Sequence, residues 1–270
     1  MASIQADMLS RVAQLSPHGD DHQLALLLAR AAGNELLAIR TRSTQAGDAP
    51  AAVKAKGDAG AQSVLSRLLA VARPDDAVLS EEARDDGLRL SCSRVWIIDP
   101  LDGTREFSES PRSDWAVHVA LWQEGELVAG AVTMPAAGLE YGTSPAAIRP
   151  VGEVGTIRLA VSRSRPPAFV ESLAGSLGAH LVPMGSAGVK ATSVLRDEAD
   201  AYVHAGGQFE WDSAAPVAVA LAAGLHASRI DGSPLRYNQP DPSLPDLLIC
   251  RPEIAAALLD AIARQKEATA

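Results

Sequence analysis

The sequence predicts an α+β fold of stacked helix and sheet layers, and three observations carry that reading. Two long stretches near the start show helical apolar spacing, residues 115 to 134 have the pattern of a β-hairpin, and from residue 158 onward short strands alternate with helices. A chain of 270 residues can bury a large core, and 47% apolar with 21% charged residues is the balance of a globular protein.

Residues 20 to 40 are predicted as an amphipathic helix, with Asp20 as N-cap and Leu24, Leu27, Leu28, Ala31 and Leu36 on its apolar side. Residues 41 to 50, containing Gly47 and Pro50, read as loop. A second helix is expected over 58 to 72, with Asp58 capping its front. Residues 77 to 80 and 95 to 98 are short strand candidates, and each ends in carboxylates: Glu81 and Glu82 after the first, Asp99 after the second. If the two strands are neighbours, these acids meet. The hairpin strands, 115 to 122 and 126 to 134, flank a Glu124-Gly125 turn. His118 lies inside the first of them, with no His or Cys at ligand spacing, and is expected to be buried and hydrogen-bonded. The turn-rich residues 142 to 157 are expected to join an N-terminal lobe, 1 to 145, to a C-terminal lobe, 146 to 270, in one catalytic unit. In the second lobe strands are predicted at 158–162, 201–204, 226–230 and 247–250, and helices at 167–177, 186–196, 212–223 and 252–265.

Composition excludes several functions. A net charge of −9 and 4% aromatic residues argue against a nucleic-acid partner, which needs a basic stripe and stacking rings. Residues 1 to 19 lack the basic start and apolar core of a signal peptide, and no apolar run approaches the roughly 18 residues of a membrane span. A cytoplasmic protein with no membrane partner is expected. Cys92 and Cys250 read as reduced structural thiols. An acidic chain can still bind an anion where bound cations reverse the local sign.

The stretch from Arg94 to Phe107 holds the chemistry. The apolar strand stops at Asp99, which Pro100 keeps extended, and Leu101 reads as turn backbone. Asp102, Gly103 and Thr104 then supply a carboxylate, a residue that permits close approach, and a hydroxyl where a helix begins. A helix start suits phosphate, and two hard carboxylates beside it suit an oxygen-ligated divalent cation, Mg²⁺ by default. Asp212, at the head of an Ala-rich helix, is either a cap or a third carboxylate from the other lobe. Gly185, Ser186 and Lys190 form either an ordinary helix entry or a phosphate or ribose contact. The Ser162-Arg163-Ser164-Arg165 run is either a solvated basic loop or a cradle for a second anionic group.

Glu81-Glu82, the run Trp96 to Thr104 with Phe107, and Trp211 to Ala215, in that order and spacing, resemble the lithium-sensitive, magnesium-dependent phosphomonoesterases of the inositol monophosphatase superfamily. The resemblance implies an αβαβα sandwich. It implies that Glu81, Asp99 and the carbonyl of Leu101 hold one Mg²⁺, that Asp99, Asp102 and Asp212 hold a second, and that a third, weaker ion sits near Glu81. A gapless count puts the water-activating acid at Asp58, with Thr104 as its partner, while the amides of Gly103 and Thr104 hold phosphoryl oxygens. The family's usual Val-Thr-x-x-Asp run is here Val53-Lys54-Ala55-Lys56-Gly57-Asp58, which leaves the roles of Lys54 and Lys56 open. Within the superfamily, Ser162, Arg163 and Ser164 with Gly185, Ser186 and Lys190 look most like the 3'(2'),5'-bisphosphate nucleotidases. That likeness implies a phosphorylated nucleotide as partner: 3'-phosphoadenosine 5'-phosphate or its 5'-phosphosulfate, in sulfur metabolism. Those residues and Asp212 would then be substrate contacts, and the protein a homodimer. Inositol 1-phosphate and fructose 1,6-bisphosphate stay open as substrates, as does a nucleotide-binding regulator without turnover.

Overall fold

Two long helices begin the part of the chain described by this computed structural model, residues 19 to 269. The expectation for the N-terminal leader falls almost wholly outside it. Helix α1 (Asp21–Ala46) is capped by Asp20, whose carboxylate accepts the amides of His22 and Gln23 at 2.8 and 3.3 Å. It continues past residue 40 and closes at Gly47, so that only a short link separates it from α2 (Pro50–Ala72). α2 starts at Pro50 rather than at Asp58, because a proline is pre-set for a first helical turn. Asp58 is therefore not an N-cap but a residue within the helix. Gly57, beside it, is packed so closely that a Cβ would stand 2.7 Å from Phe107 and 2.8 Å from Leu101. Its missing side chain is what lets α2 press onto the Leu101 to Phe107 segment.

The first sheet has the order β1 (Ala77–Ser80), β2 (Arg94–Asp102), β3 (Ala116–Gln123), β4 (Glu126–Met134), β5 (Leu139–Gly142). β1 and β2 are parallel and the other pairs antiparallel. β2 does not stop at Asp99. It runs on to Asp102 through a register shift against β3 between Asp99 and Asp102, where Pro100 has no N–H to give to the ladder. Leu101 is thus part of an irregular strand rather than a turn. After β2 comes the single-turn helix α3 (Thr104–Ser108).

The second sheet combines β6 (Arg158–Ser162), β7 (His180–Met184), β8 (Ala201–Phe209), β9 (His226–Ser228) and β10 (Ser243–Cys250) in the order β7-β6-β8-β10-β9. Its helices are α4 (Ala168–Leu177), α5 (Ala187–Ser193), α6 (Glu210–Ala222) and α7 (Pro252–Thr269). β5 and β7 were not expected. Both are short edge strands, and β7 contains Pro183 and is largely exposed, so it carries no alternating pattern.

Strand alternation sorts the core into layers. On the first sheet Trp96, Ile98, Val117 and Val119 pack against α1 and α2. Val95, Ile97, Ala116 and Ala120 point the other way, into one apolar cluster with Val189 of α5, Ala214 and Val217 of α6, and Ala160 and Tyr202 of the second sheet. Leu159, Val161, Val203 and Leu248 face α4 and α7. The result is an αβαβα stack with α5 and α6 as its middle layer, and the central cluster draws on residues from both sides of position 146. Cys92 and Cys250 are free thiols, and no helix among the described residues is long and apolar enough to cross a membrane.

Filling the space at position 57 tests the fit between α2 and the segment it covers. Gly57→Val is expected to lower stability by about 1–3 kcal/mol, the usual cost of overpacking a tight contact, read from the midpoint of urea unfolding. An unchanged midpoint would mean that α2 is not held against Phe107.

Candidate active site

Parallel pairing of β1 with β2 sets Ser80 opposite Ile98, so the two strands release Glu81 and Asp99 at the same height. Asp99 shares the strand parity of Val95 and Ile97 and therefore faces the middle layer, where α6 begins. One ligand atom from each of Asp99, Asp102 and Asp212 lies within 4.8 Å of the others, although the first two come from β2 and the third from the head of α6. Glu81 stands near enough for its carboxyl and that of Asp99 to perturb each other.

Each acid is held by local donors. The amide of Leu101 donates to Asp99 Oδ1 at 3.0 Å, and the amide of Phe209 donates to Asp212 Oδ2 at 2.7 Å. Both readings of Asp212 thus hold: it caps α6 and it belongs to the cluster. Asp102 Oδ2 accepts the hydroxyl of Ser186 and the amide of Gly188, the latter at 2.7 Å. His118 Nε2 lies 3.1 Å from the same oxygen, outside the angle of a good hydrogen bond, so the contact is an ion pair. All these donors fall on Oδ2, which leaves Oδ1 of Asp102 for a ligand. Gly103, with φ at 86°, turns the chain from β2 into α3; a Cβ there would also stand 3.2 Å from Ser186 and from Trp115.

Charge separates the acids. Burial first, then the charges of Asp102, Glu81 and Asp212, raise Asp99 well above the usual carboxylate range. Glu81 is pushed up to about 7; part of the residue faces solvent, but desolvation of its carboxyl is the main cause, followed by Asp212 and Asp102. Desolvation and Asp102 bring Asp212 to about 6. Asp102 goes the other way: burial raises it, and His118, Lys190 and Ser186 together more than offset that and hold it low. His118 is accordingly raised by Asp102 against its own desolvation. An all-oxygen set of acids that repel one another fits a hard divalent cation, the counter-charge that would let them ionise together.

A cavity of about 590 Å³ opens from this cluster towards the second sheet. Asp102, Gly103, Thr104, Glu106 and Asp212 line it, together with Tyr202, Gly206 to Gln208, and Ser162, Ser164, Gly185, Ser186 and Lys190, the last five all expected as contacts. Lys190 is buried, donates to Ser186 O at 2.5 Å and lies 5.3 Å from the centre of the Tyr202 ring. Two arginines complete the wall. Arg105 carried no signal on its own in the sequence, and Arg165 was one arm of the basic run; neither guanidinium makes an ion pair among the described residues.

Arg163 sits differently. Its guanidinium donates to Glu106 at 2.8 Å and Glu109 at 2.9 Å, so it ties the second sheet to α3 instead of facing the cavity. Asp58 and Glu81 also stand off the cavity lining. Asp58 is pushed up to about 6, by desolvation first and by Glu82 next, against the pull of Lys54. Lys56 is turned outward to Asp48 at 2.5 Å. The Thr104 hydroxyl donates to Leu101 O at 3.1 Å. His118 is wholly buried and bonded through Nδ1 to Trp211 O at 3.1 Å, as expected.

Comparison with known proteins follows the same lines. The family profile described as the inositol monophosphatase family matches residues 23–267. A Mycobacterium bovis protein named 3'-phosphoadenosine 5'-phosphate phosphatase is 54% identical over 235 residues, 84% of this chain and 88% of that protein. The 3'(2'),5'-bisphosphate nucleotidase CysQ of Escherichia coli is 31% identical over 192 residues, 67% of this chain and 78% of its own. Among solved structures, CysQ from Bacteroides thetaiotaomicron superposes with a TM-score of 0.74 at 25% identity, covering 86% of this chain and 97% of the other.

The raised acids have a measurable consequence in metal-free protein. Asp58, Glu81, Asp99 and Asp212 hold their protons more tightly folded than unfolded. The stability this contributes is full below about pH 4, the unfolded carboxylate range, and is lost as pH rises through about 6 to 7. With a chelator present, Tm is expected to fall between about pH 5 and pH 8, and added Mg²⁺ to reduce the fall. A flat profile in chelator would show that these acids do not share one field. Asp102, held low, does not contribute in that window.

Proposed function

The chain belongs to the inositol monophosphatase family, and from that premise we propose that it hydrolyses the 3'-phosphate of 3'-phosphoadenosine 5'-phosphate, releasing AMP and phosphate. The observation that carries this reading is one cavity lined both by acids that suit a divalent cation and by Lys190, Arg105 and Arg165, the two arginines making no ion pair among the described residues. A single phosphate needs only the acids and their cation. A substrate with a second anionic group uses the basic residues as well, and the 5'-phosphosulfate analogue meets the same requirement.

Glu81, Asp99, Asp102 and Asp212, with the Leu101 carbonyl, would hold Mg²⁺, two ions and a weaker third beside Glu81, which would supply positive charge for the phosphoryl oxygens and lower the pKa of a water. The residues themselves supply the rest. Asp58, with its proton affinity raised to about 6, is a better base than an ordinary aspartate and is still ionised at neutral pH, so it takes the proton of the attacking water. Thr104, anchored on Leu101 O, keeps the 101–104 loop in shape around the reacting phosphate. Amides at Gly103 and Thr104 bind the phosphoryl oxygens. Lys190, Arg105 and Arg165 bind the second anionic group, while Ser162 and Ser164 offer hydroxyls to the sugar.

Side-by-side kcat/KM for 3'-phosphoadenosine 5'-phosphate, inositol 1-phosphate and fructose 1,6-bisphosphate tests the assignment. The nucleotide is expected to lead, and a lead by either sugar phosphate would overturn it. Asp212→Asn keeps the cap on Phe209 but removes a charge, so turnover should drop to background with Tm nearly unchanged. Lys190→Met should cost the nucleotide about 10–100-fold more in kcat/KM than inositol 1-phosphate, the worth of one charge-assisted hydrogen bond; equal losses would remove Lys190 from substrate recognition.

A further inference from the structure

His118 takes no part in the chemistry above, yet it touches every element that supplies the three clustered carboxylates. It lies opposite Asp99 in the β2–β3 register. Its strand parity, that of Ala116 and Ala120, turns the imidazole to the face on which Asp99 sits. Nδ1 is 3.1 Å from the carbonyl of Trp211, the residue before Asp212, and Nε2 is 3.1 Å from Asp102 Oδ2. Both neighbours are acceptors only. The ring is thus wedged between the Trp211 carbonyl on the α6 side, to which Nδ1 is hydrogen-bonded, and the Asp102 carboxylate of β2, against which Nε2 is packed.

Gly188 makes room for it. A Cβ at position 188 would stand 2.1 Å from His118 Nε2, so the ring occupies the space a side chain would take, while the amide of Gly188 donates to the same Asp102 oxygen. We propose that His118, seated in the gap left by Gly188, is a positioning residue that fixes the mutual spacing of Asp99, Asp102 and Asp212 and thereby sets the affinity of the site for its divalent cation. The inference rests on the reading that these carboxylates hold Mg²⁺.

The test is calorimetric titration of Mg²⁺ into the metal-stripped full chain, with thermal unfolding and steady-state kinetics alongside. His118→Ala and Gly188→Ala are each expected to weaken Mg²⁺ binding about 10–100-fold, the usual loss when the support of a metal ligand is removed. At saturating Mg²⁺ kcat should fall, and KM for the nucleotide should hold, because Arg105 and Arg165 are untouched. His118→Asn, which keeps one donor, should recover part of the affinity. In the His118→Ala background the added methyl of Gly188→Ala has space and should cost nothing more. Unchanged Mg²⁺ affinity in the folded variants, a rise in KM at constant kcat, or equal damage by Gly188→Ala in both backgrounds would overturn the proposal while leaving the metal reading intact. Failure of the wild-type chain to bind Mg²⁺ would overturn both. Should His118→Ala not fold, His118→Asn and Gly188→Ala carry the same comparison.

Discussion

The mutual repulsion of buried carboxylates is the constraint on which this structure turns. Asp99 and Asp102 lie almost fully out of water, Asp212 meets them from the head of α6, and Glu81 stands beside Asp99 at the end of the neighbouring strand. Nothing in the hydrophobic effect favours such an arrangement. It persists because the acids come from different elements, each secured by its own packing: β1 and β2 through their parallel pairing, α6 through the apolar cluster beneath it. Asp102 is the exception among the acids, since a ring of donors keeps it ionised.

The rest of the cavity wall follows from the same geometry. Where β2 passes into α3, the chain must turn sharply at Gly103 and then meet Gly185 and Ser186, which link β7 to α5. The ion pairs from Arg163 to Glu106 and Glu109, and the bond from the Gly185 amide to Asp114, clamp that junction. With Arg163 so engaged, the positive charge offered to a ligand comes from Arg105, Arg165 and Lys190. An acidic protein thus carries a local basic wall within reach of its acidic cluster.

Much of this was legible in the sequence because the signals were local. Apolar runs that break at carboxylates located β1, β2 and the Asp99 to Thr104 segment, and two mostly apolar runs about a Glu124-Gly125 turn located the hairpin. What was not legible depended on partners remote in the chain. The helix is expected to begin at residue 58, just past Gly57, and only the contact of Gly57 with Phe107 shows why α2 runs through it. Arg163 and Arg165 look alike in one basic run, but Glu106 and Glu109 claim one of them. The burial of His118 could be expected from its strand; its two neighbours, Trp211 and Asp102, could not, because they meet it only once α6 has docked.

The middle layer also bears on how the chain is made. Synthesis proceeds from the N-terminus, and the first sheet is complete at Gly142. Its inner face, with Val95, Ile97, Ala120 and Val132, is covered by α5 and α6, and α6 ends only at Ala222. The native cover of that apolar face is complete only some eighty residues after the sheet is. The nascent chain therefore passes through a stage in which a finished sheet is exposed on one side, and the interval before α6 emerges is when it is most open to a chaperone or to a neighbouring chain.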